Sequence, residues 1–209
     1  MNTTGPLPEY YDNLDLSFDK AWDVVESGAK KRTSAAHTPS VATIGSDGSP
    51  QLRILVLREA DRSVRRLRFH TDRRSVKVGE VGHNVVASVL IYDPQEKIQI
   101  RLSGVASIAT DGETVENAWR QSTTFARRCY MTGSSPGEIS ETPTSGLPDW
   151  IEGKQPGEED LTDARANFAL FWFEAHSLEW LYLANNGHRR AKWSWNDATA
   201  LWAGNWLVP

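Results

Sequence analysis

The sequence predicts a mainly β domain with flanking helices (α+β). Three observations lead there: six or more short β-prone segments, two or three segments of helical period, and no βαβ alternation of the kind that builds parallel sheets. A chain of 209 residues suits one large β-rich domain, and 39% hydrophobic with 24% charged residues suits a globular protein with a buried core. No internal repeat or dividing linker is visible. The expected organisation is an N-terminal arm over 1–16 and a single domain over 17–209.

The arm holds Pro6, Pro8 and Asn13 without a sustained period. From Ser17 to Ala29, the residues Phe18, Trp22, Val25 and Ala29 recur at helical spacing, with Ser17 as the expected cap. A hairpin follows: Ser40–Ile44 is β-prone, Gly45-Ser46-Asp47-Gly48 is a turn, and Gln51–Arg58 is β-branched and aliphatic. Arg66–Thr71 reads as a strand, Arg74–Val81 as a short helix and Asn84–Tyr92 as another strand. Lys97, Gln99, Arg101 and Ser103 alternate with Ile98, Ile100 and Leu102, the pattern of a strand with one polar face.

Thr114–Tyr130 reads as an amphipathic helix with Val115, Ala118, Trp119, Ser122, Ala126 and Cys129 on one side, which makes Cys129 an expected buried, inert thiol. Met131–Glu159 is rich in Gly, Pro, Ser and Glu and reads as a long loop; loops of that length in compact domains are functional or disordered. Phe168–Ala184, Arg189–Trp195 and Leu201–Val208 complete the strands, with Asn185-Asn186-Gly187 as a turn. Of nine tryptophans, Trp193, Trp195, Trp202 and Trp206 fall close to the C-terminus, and core or interface is the expected place for most of them.

The net charge is −4, yet cations gather at Lys30–Arg32, Arg62–Arg74, Arg127–Arg128 and His188–Lys192. Nucleic-acid binding needs a net positive face. A weakly acidic chain with local cationic clusters suits a small phosphorylated ligand better, with solvated surface charge as the competing reading. There is no run of about 18 apolar residues to span a membrane. Met1–Tyr11 has no basic segment leading into an apolar one. One cysteine can neither staple the fold nor form a metal cluster, and no metal-ligand spacing occurs. The expectation is a cytoplasmic protein without nucleic-acid, membrane or metal partners.

Chemistry concentrates between Arg53 and Lys77. Arg53-Ile54-Leu55-Val56-Leu57-Arg58 is a strand with a cation at each end, and Phe69-His70-Thr71-Asp72-Arg73-Arg74-Ser75-Val76-Lys77 is a strand turning into a helix. Such a turn exposes backbone N–H groups that favour an anion. Thr71 and Ser75 add hydroxyls, while Arg53, Arg74 and Lys77 add charge. Taken alone, the arrangement fits a structural turn as well as a phosphate site.

The order Arg-x-x-x-Leu-Arg, then Phe-His-Thr-Asp-x-x-Ser-x-Lys, then Gln99-Ile100-Arg101-Leu102-x-Gly104 resembles the flavin-binding core of the pyridoxamine 5′-phosphate oxidase family. A second patch, Glu179-Trp180, His188-Arg189-Arg190 and Leu207-Val208-Pro209, resembles the family less fully. The resemblance implies an FMN-binding split β-barrel and a homodimer with FMN at the subunit interface. It implies that Arg53, Thr71, Arg74, Ser75 and Lys77 hold the phosphate and ribityl chain. Ile54, Leu55, Val56 and His70 would contact the ring, Gln99 its polar edge, and Trp180 and Arg190 would border it from the partner subunit. Arg58 and His188 would meet a small-molecule substrate, with His188 positioning it.

The sequence departs from the family pattern at three places. Arg58 stands where the family has a phosphate-binding lysine, Asn186 where it has the first arginine of Arg-x-His-x-Arg, and Val76 where it has an arginine beside the phosphate lysine. The family's Tyr…Arg…Ser substrate set has only rough counterparts in Arg127, Arg128, Tyr130 and Ser135. The implied activity is that of an FMN-dependent oxidoreductase. The alternatives are a non-catalytic flavin- or haem-binding module, or a deazaflavin-dependent reductase, on the same barrel.

Overall fold

The computed structural model describes residues 6–209; the first five residues of the expected arm lie outside the described residues. Nine strands form one antiparallel sheet: β1 (Ser40–Ile44), β2 (Pro50–Ile54), β3 (Leu57–Asp61), β4 (Arg66–Asp72), β5 (Val86–Asp93), β6 (Ile98–Ala109), β7 (Phe168–Tyr182), β8 (Arg189–Asn196) and β9 (Leu201–Leu207). The strand order is β2-β1-β5-β6-β7-β4-β3, with β8 and β9 added along β7.

Residues 51–58, expected as one strand, are instead two. β2 lies at one end of the sheet path and β3 at the other, yet only Leu55 and Val56 separate them. Two residues span at most ~7 Å of extended chain, so the opposite edges must come together and the sheet must close. The closure is incomplete, because the corner residues leave the ladder; Leu55 donates its N–H to the Pro39 carbonyl at 3.2 Å.

The barrel interior follows from alternation. Ile98, Ile100 and Leu102 of β6 point inward and are fully buried, as their period-2 spacing predicts. Leu67 and Phe69 of β4, Val89 and Ile91 of β5, and Leu178 and Trp180 of β7 meet them there. Each such side chain contributes ~1.5–3 kcal/mol by leaving water. β6 and β7 slip register at Ser103/Gly104. There Gly104 passes so close to the Glu174 carbonyl that a Cβ would overlap its oxygen.

Helix α1 (Leu14–Lys30) packs Ala21, Trp22, Val24 and Val25 into the same core. It starts earlier than expected. Asn13, not Ser17, is the cap, its Oδ1 accepting from Leu16 N at 3.0 Å. Ser17 lies inside the helix, where its hydroxyl donates back to the carbonyls of Tyr10 and Asn13. The described part of the 1–16 segment is packed: Tyr11 is buried and donates to the Gly187 carbonyl at 2.6 Å.

Helix α2 (Val76–His83) follows β4. The expected helix over 114–130 is broken into α3 (Glu113–Gln121) and α4 (Thr124–Arg127), because Thr123 turns extended and caps the second piece. Cys129 is consequently exposed rather than buried. α3 and α4 cover a second core of Val115, Ala118, Trp119, Tyr130, Phe168 and Leu170. The segment after Tyr130 has no α-helix or strand until β7, but it is tethered. Arg127 pairs with Glu158 at 2.5 Å, and Gln155 donates to Thr124 at 3.1 Å. At the C-terminal end Trp193 is buried over Gly204, and Trp195 faces Trp202 across the β8–β9 ladder.

Gly104→Ala forces a backbone shift at the bulge and should lower unfolding free energy by more than ~2 kcal/mol. The urea midpoint reads it, and an unchanged midpoint would show that the crossing is not tight.

Candidate functional site

At the end of β4 the chain turns through Asp72–Ser75 into α2. Asp72 organises the turn, accepting from Arg74 N at 2.8 Å and Arg74 Nε at 3.0 Å through one oxygen, and from Nη2 at 2.7 Å through the other. The remaining Arg74 donors reach the Thr132 carbonyl and hydroxyl, both at 2.9 Å. Arg74, predicted to hold the phosphate, is therefore committed to pinning the long loop against this turn.

Lys77 is placed differently. Its ammonium donates to Ser75 Oγ at 3.1 Å and Thr71 Oγ1 at 3.3 Å, and among the described residues no carboxylate pairs with it. Burial, helped by nearby Arg53, pushes the lysine pKa down against the pull of Glu80 and Asp72. A half-buried ammonium resting on two hydroxyls is electrostatically unsatisfied. Arg53 projects from β2 toward the same corner, where it pairs with buried Glu80 at 2.7 Å and also donates to Thr43. Arg53, Thr71, Ser75 and Lys77 are thus brought together. Glu80, absent from the sequence reading, is part of the group; its place one turn after Lys77 is the signal for it.

A second group gathers on the other side of β4. Val56, Arg58 and His70 line one cleft of about 460 Å³, together with Arg32, His37, Arg68 and the α3–α4 junction Gln121-Ser122-Thr123. His70 stands edge-on to Phe168 with ring centroids 4.9 Å apart, and its Nε2 is buried without a partner. Burial first, then the positive charges of Arg58 and Arg68, push its pKa down to about 3. The imidazole is therefore neutral at physiological pH, a hydrogen-bonding group and not a cation.

Gln99 and Arg190 lie elsewhere. The ladders place Tyr92, Gln99, Leu181, Arg190 and Leu207 in one row across five strands. Alternation puts that row on the outer face, opposite Ile98 and Ile100. Arg53, paired across from buried Val41, lies on the inner face. Trp180 does not reach the outer row: it is fully buried beneath it, and Leu181 holds the position between Gln99 and Arg190. Ile54 faces outward beside Ser40 and Leu90. His188 is exposed in the β7–β8 turn, away from the buried corner, and the turn is clamped by Arg189–Asp12 at 2.7 Å. Among the described residues no group of His, Cys, Asp and Glu side chains could hold a metal.

Residues 19–110 match the family model for the pyridoxamine 5′-phosphate oxidase, FMN-binding domain. The matched stretch contains Arg53, Val56, Arg58, His70, Thr71, Ser75, Lys77 and Gln99, and stops before the C-terminal patch. The whole fold is shared with a pyridoxamine 5′-phosphate oxidase-related, FMN-binding protein from Nostoc punctiforme at 20% identity and TM-score 0.72, covering 98% of this chain and all of that one. PhzG from Burkholderia lata, solved with tetrahydrophenazine-1-carboxylic acid, matches at 19% identity and TM-score 0.71 over the full length of both chains. At these identities the likeness is one of fold, and it identifies the incompletely closed sheet as a split β-barrel of the oxidase type. A search of curated proteins found no match. No helix among the described residues is long and apolar enough to cross a membrane.

The low His70 pKa has a consequence for stability. In the unfolded chain an imidazole takes up a proton below about pH 6.5, but in the folded chain only near 3. Between these values the unfolded state binds the extra proton, so stability present above about pH 6.5 is lost as the pH falls toward 3. His70→Gln should flatten the pH dependence of the unfolding free energy between about pH 6.5 and 4.5. Parallel wild-type and variant curves would mean that the imidazole is protonated in the folded state.

Proposed function

We propose that the chain binds FMN at the barrel seam as a homodimer and is an oxidoreductase acting on a small molecule. The observation that carries this reading is Lys77, an ammonium without a carboxylate, held on Thr71 and Ser75 beside Arg53 within the family-matched stretch. The positive groups at this corner, Arg53, Arg74 and Lys77, outnumber the two buried carboxylates Asp72 and Glu80, which suits a phosphate dianion. Lys77, Thr71 and Ser75 would hold that phosphate with Arg53, while Arg74 serves by fixing the turn.

When bound, FMN supplies the hydride acceptance. The protein's own residues do the rest. Leu55 and Val56, at the seam, offer an apolar wall and backbone groups that no ladder uses. Val56, Arg58 and His70 line the adjoining cleft, where a substrate would lie against them. His70 offers an uncharged nitrogen there, and Arg58 a cation without a carboxylate partner among the described residues.

The outer face supports the homodimer. Leu52 is 66%, Ile54 59%, Val86 53% and Tyr92 50% exposed, and all four point outward from β2 and β5. Gln99 adjoins this apolar patch, in a depression of about 210 Å³ with Leu52 and Leu90. Gln99 and Arg190 lie on the sheet face opposite Arg53, so in this reading they serve the partner's flavin rather than their own. An apolar face of this extent is buried against something in most soluble proteins. The single cysteine and the absence of a spanning helix agree with a cytoplasmic setting.

Two variants test the reading. Lys77→Met removes a half-buried charge, so the flavin-free protein should melt no lower than wild type. Its FMN affinity should nevertheless fall at least tenfold, about 1.4 kcal/mol, by fluorescence titration. Unchanged affinity would move the phosphate away from this corner. The double variant Leu52→Lys/Ile54→Lys should give the mass of one 23.4 kDa chain by light scattering and lose FMN, where wild type gives twice that mass. A wild-type protein that is monomeric yet retains FMN would overturn the shared site.

A further inference from the structure

The cleft beside Val56 has a charge pattern of which the family motifs account for Arg58 but not for Arg32. It is lined by three arginines, Arg32, Arg58 and Arg68, and by no carboxylate. Arg68 is neutralised by Glu59 at 2.8 Å. Arg32 and Arg58 have neither an ion pair nor a side-chain hydrogen bond among the described residues. Both are exposed, so their guanidinium groups face the cleft and solvent.

Arg32 comes from the connection between α1 and β1, far in sequence from the matched strand. Its surroundings are built. Ser34 caps the short 3₁₀ turn Ala35–His37, and His37 Nδ1 lies 2.8 Å from the Gly28 carbonyl. A carbonyl only accepts, so Nδ1 carries the hydrogen and Nε2 is left as the second polar atom of that ring. On the opposite wall the α3–α4 junction offers Gln121, Ser122 and Thr123, which are neutral. The helix–loop region where the family places a substrate arginine therefore brings no charge to this cleft.

We propose that Arg32 and Arg58 together bind an oxyanion of the substrate, a carboxylate or a phosphate, and that Arg32 supplies the charge the α3–α4 junction lacks. The assignment rests on the flavin reading of the adjoining seam, since it treats this cleft as the place where substrate meets cofactor. Two guanidinium groups without acid partners favour a planar or tetrahedral oxyanion over a neutral or cationic ligand. The neutral His70 imidazole and the apolar Val56, Ala118 and Phe125 suit an uncharged ring or short chain attached to that anion.

The test uses matched probe pairs on the purified full chain, read by calorimetry: pyridoxamine 5′-phosphate against pyridoxamine, and benzoate against benzamide. At least one anionic member should bind tenfold or more tightly than its uncharged or cationic partner, and the pair that shows this tells phosphate from carboxylate. Arg32→Gln should weaken that anion at least fivefold while leaving FMN content, measured as flavin released on denaturation, at the wild-type level. Equal binding within both pairs, no saturable binding of any probe, or an Arg32→Gln affinity equal to wild type would each overturn the proposal. FMN titration of the same preparations separates the two claims. Failure to bind FMN with the anion preference intact sinks the seam reading alone. Normal FMN binding without the preference sinks this one alone.

Discussion

Leu55 and Val56 carry the chain from one edge of the nine-stranded sheet to the other, and the rest of the molecule follows from that short crossing. Because two residues cannot span an open sheet, β2 runs almost directly into β3 across the seam, with no ladder between the two strands. Arg53, Thr71, Ser75 and Lys77 gather on one side of it, and Arg58 and His70 on the other. Arg53 precedes the crossing and Arg58 follows it, so one strand break sends one cation to the α2 corner and the other to the cleft under α3 and α4.

Pairing then sorts the cations by role. Arg62, Arg65, Arg68, Arg74, Arg101, Arg127, Arg165 and Arg189 each meet a carboxylate, and their work is structural. Arg74 shows how much this matters: sequence position alone makes it a phosphate ligand, while its bidentate hold on Asp72 and its bonds to Thr132 make it the clasp of a loop. Lys77 is the contrary case. A lysine with a burial-depressed pKa is costly in the free protein, and that cost is offset when an anion arrives. A surface lysine would carry no such signature.

Much of the fold was legible because its strands alternate. The segments around Arg66–Thr71 and Lys97–Ser103 alternate between two faces of different polarity, and the structure keeps both. The break at Leu55–Val56 was not legible, since both are good strand residues and closure depends on partners far away in sequence. The helix over 114–130 read as continuous because its apolar period survives Ser122 and Thr123, although a Ser-Thr-Thr run is also a capping signal. Trp180 was assigned from a motif match, against a warning within its own strand: Ser177 and Glu179 are polar at alternate positions, which turns Leu178 and Trp180 inward.

The same alternation bears on the partner subunit. A strand with a buried inner face and an apolar outer face is out of place at a solvated surface; β5 has that character through Val86, Leu90 and Tyr92, and β2 adds Leu52 and Ile54 to the same outer face. Across β6, β7 and β8 the outer face changes to Gln99, Arg101, Glu179 and Arg190, a polar set in which Glu179 bridges both arginines. An apolar centre flanked by a bridged polar margin fits the anatomy of the protein interface proposed above. Its polar margin carries the two residues that the family resemblance assigns to the flavin but that the inner corner cannot use. A single barrel thus carries the residues of one expected site on its two faces, and the homodimer proposed above would bring the two sets together.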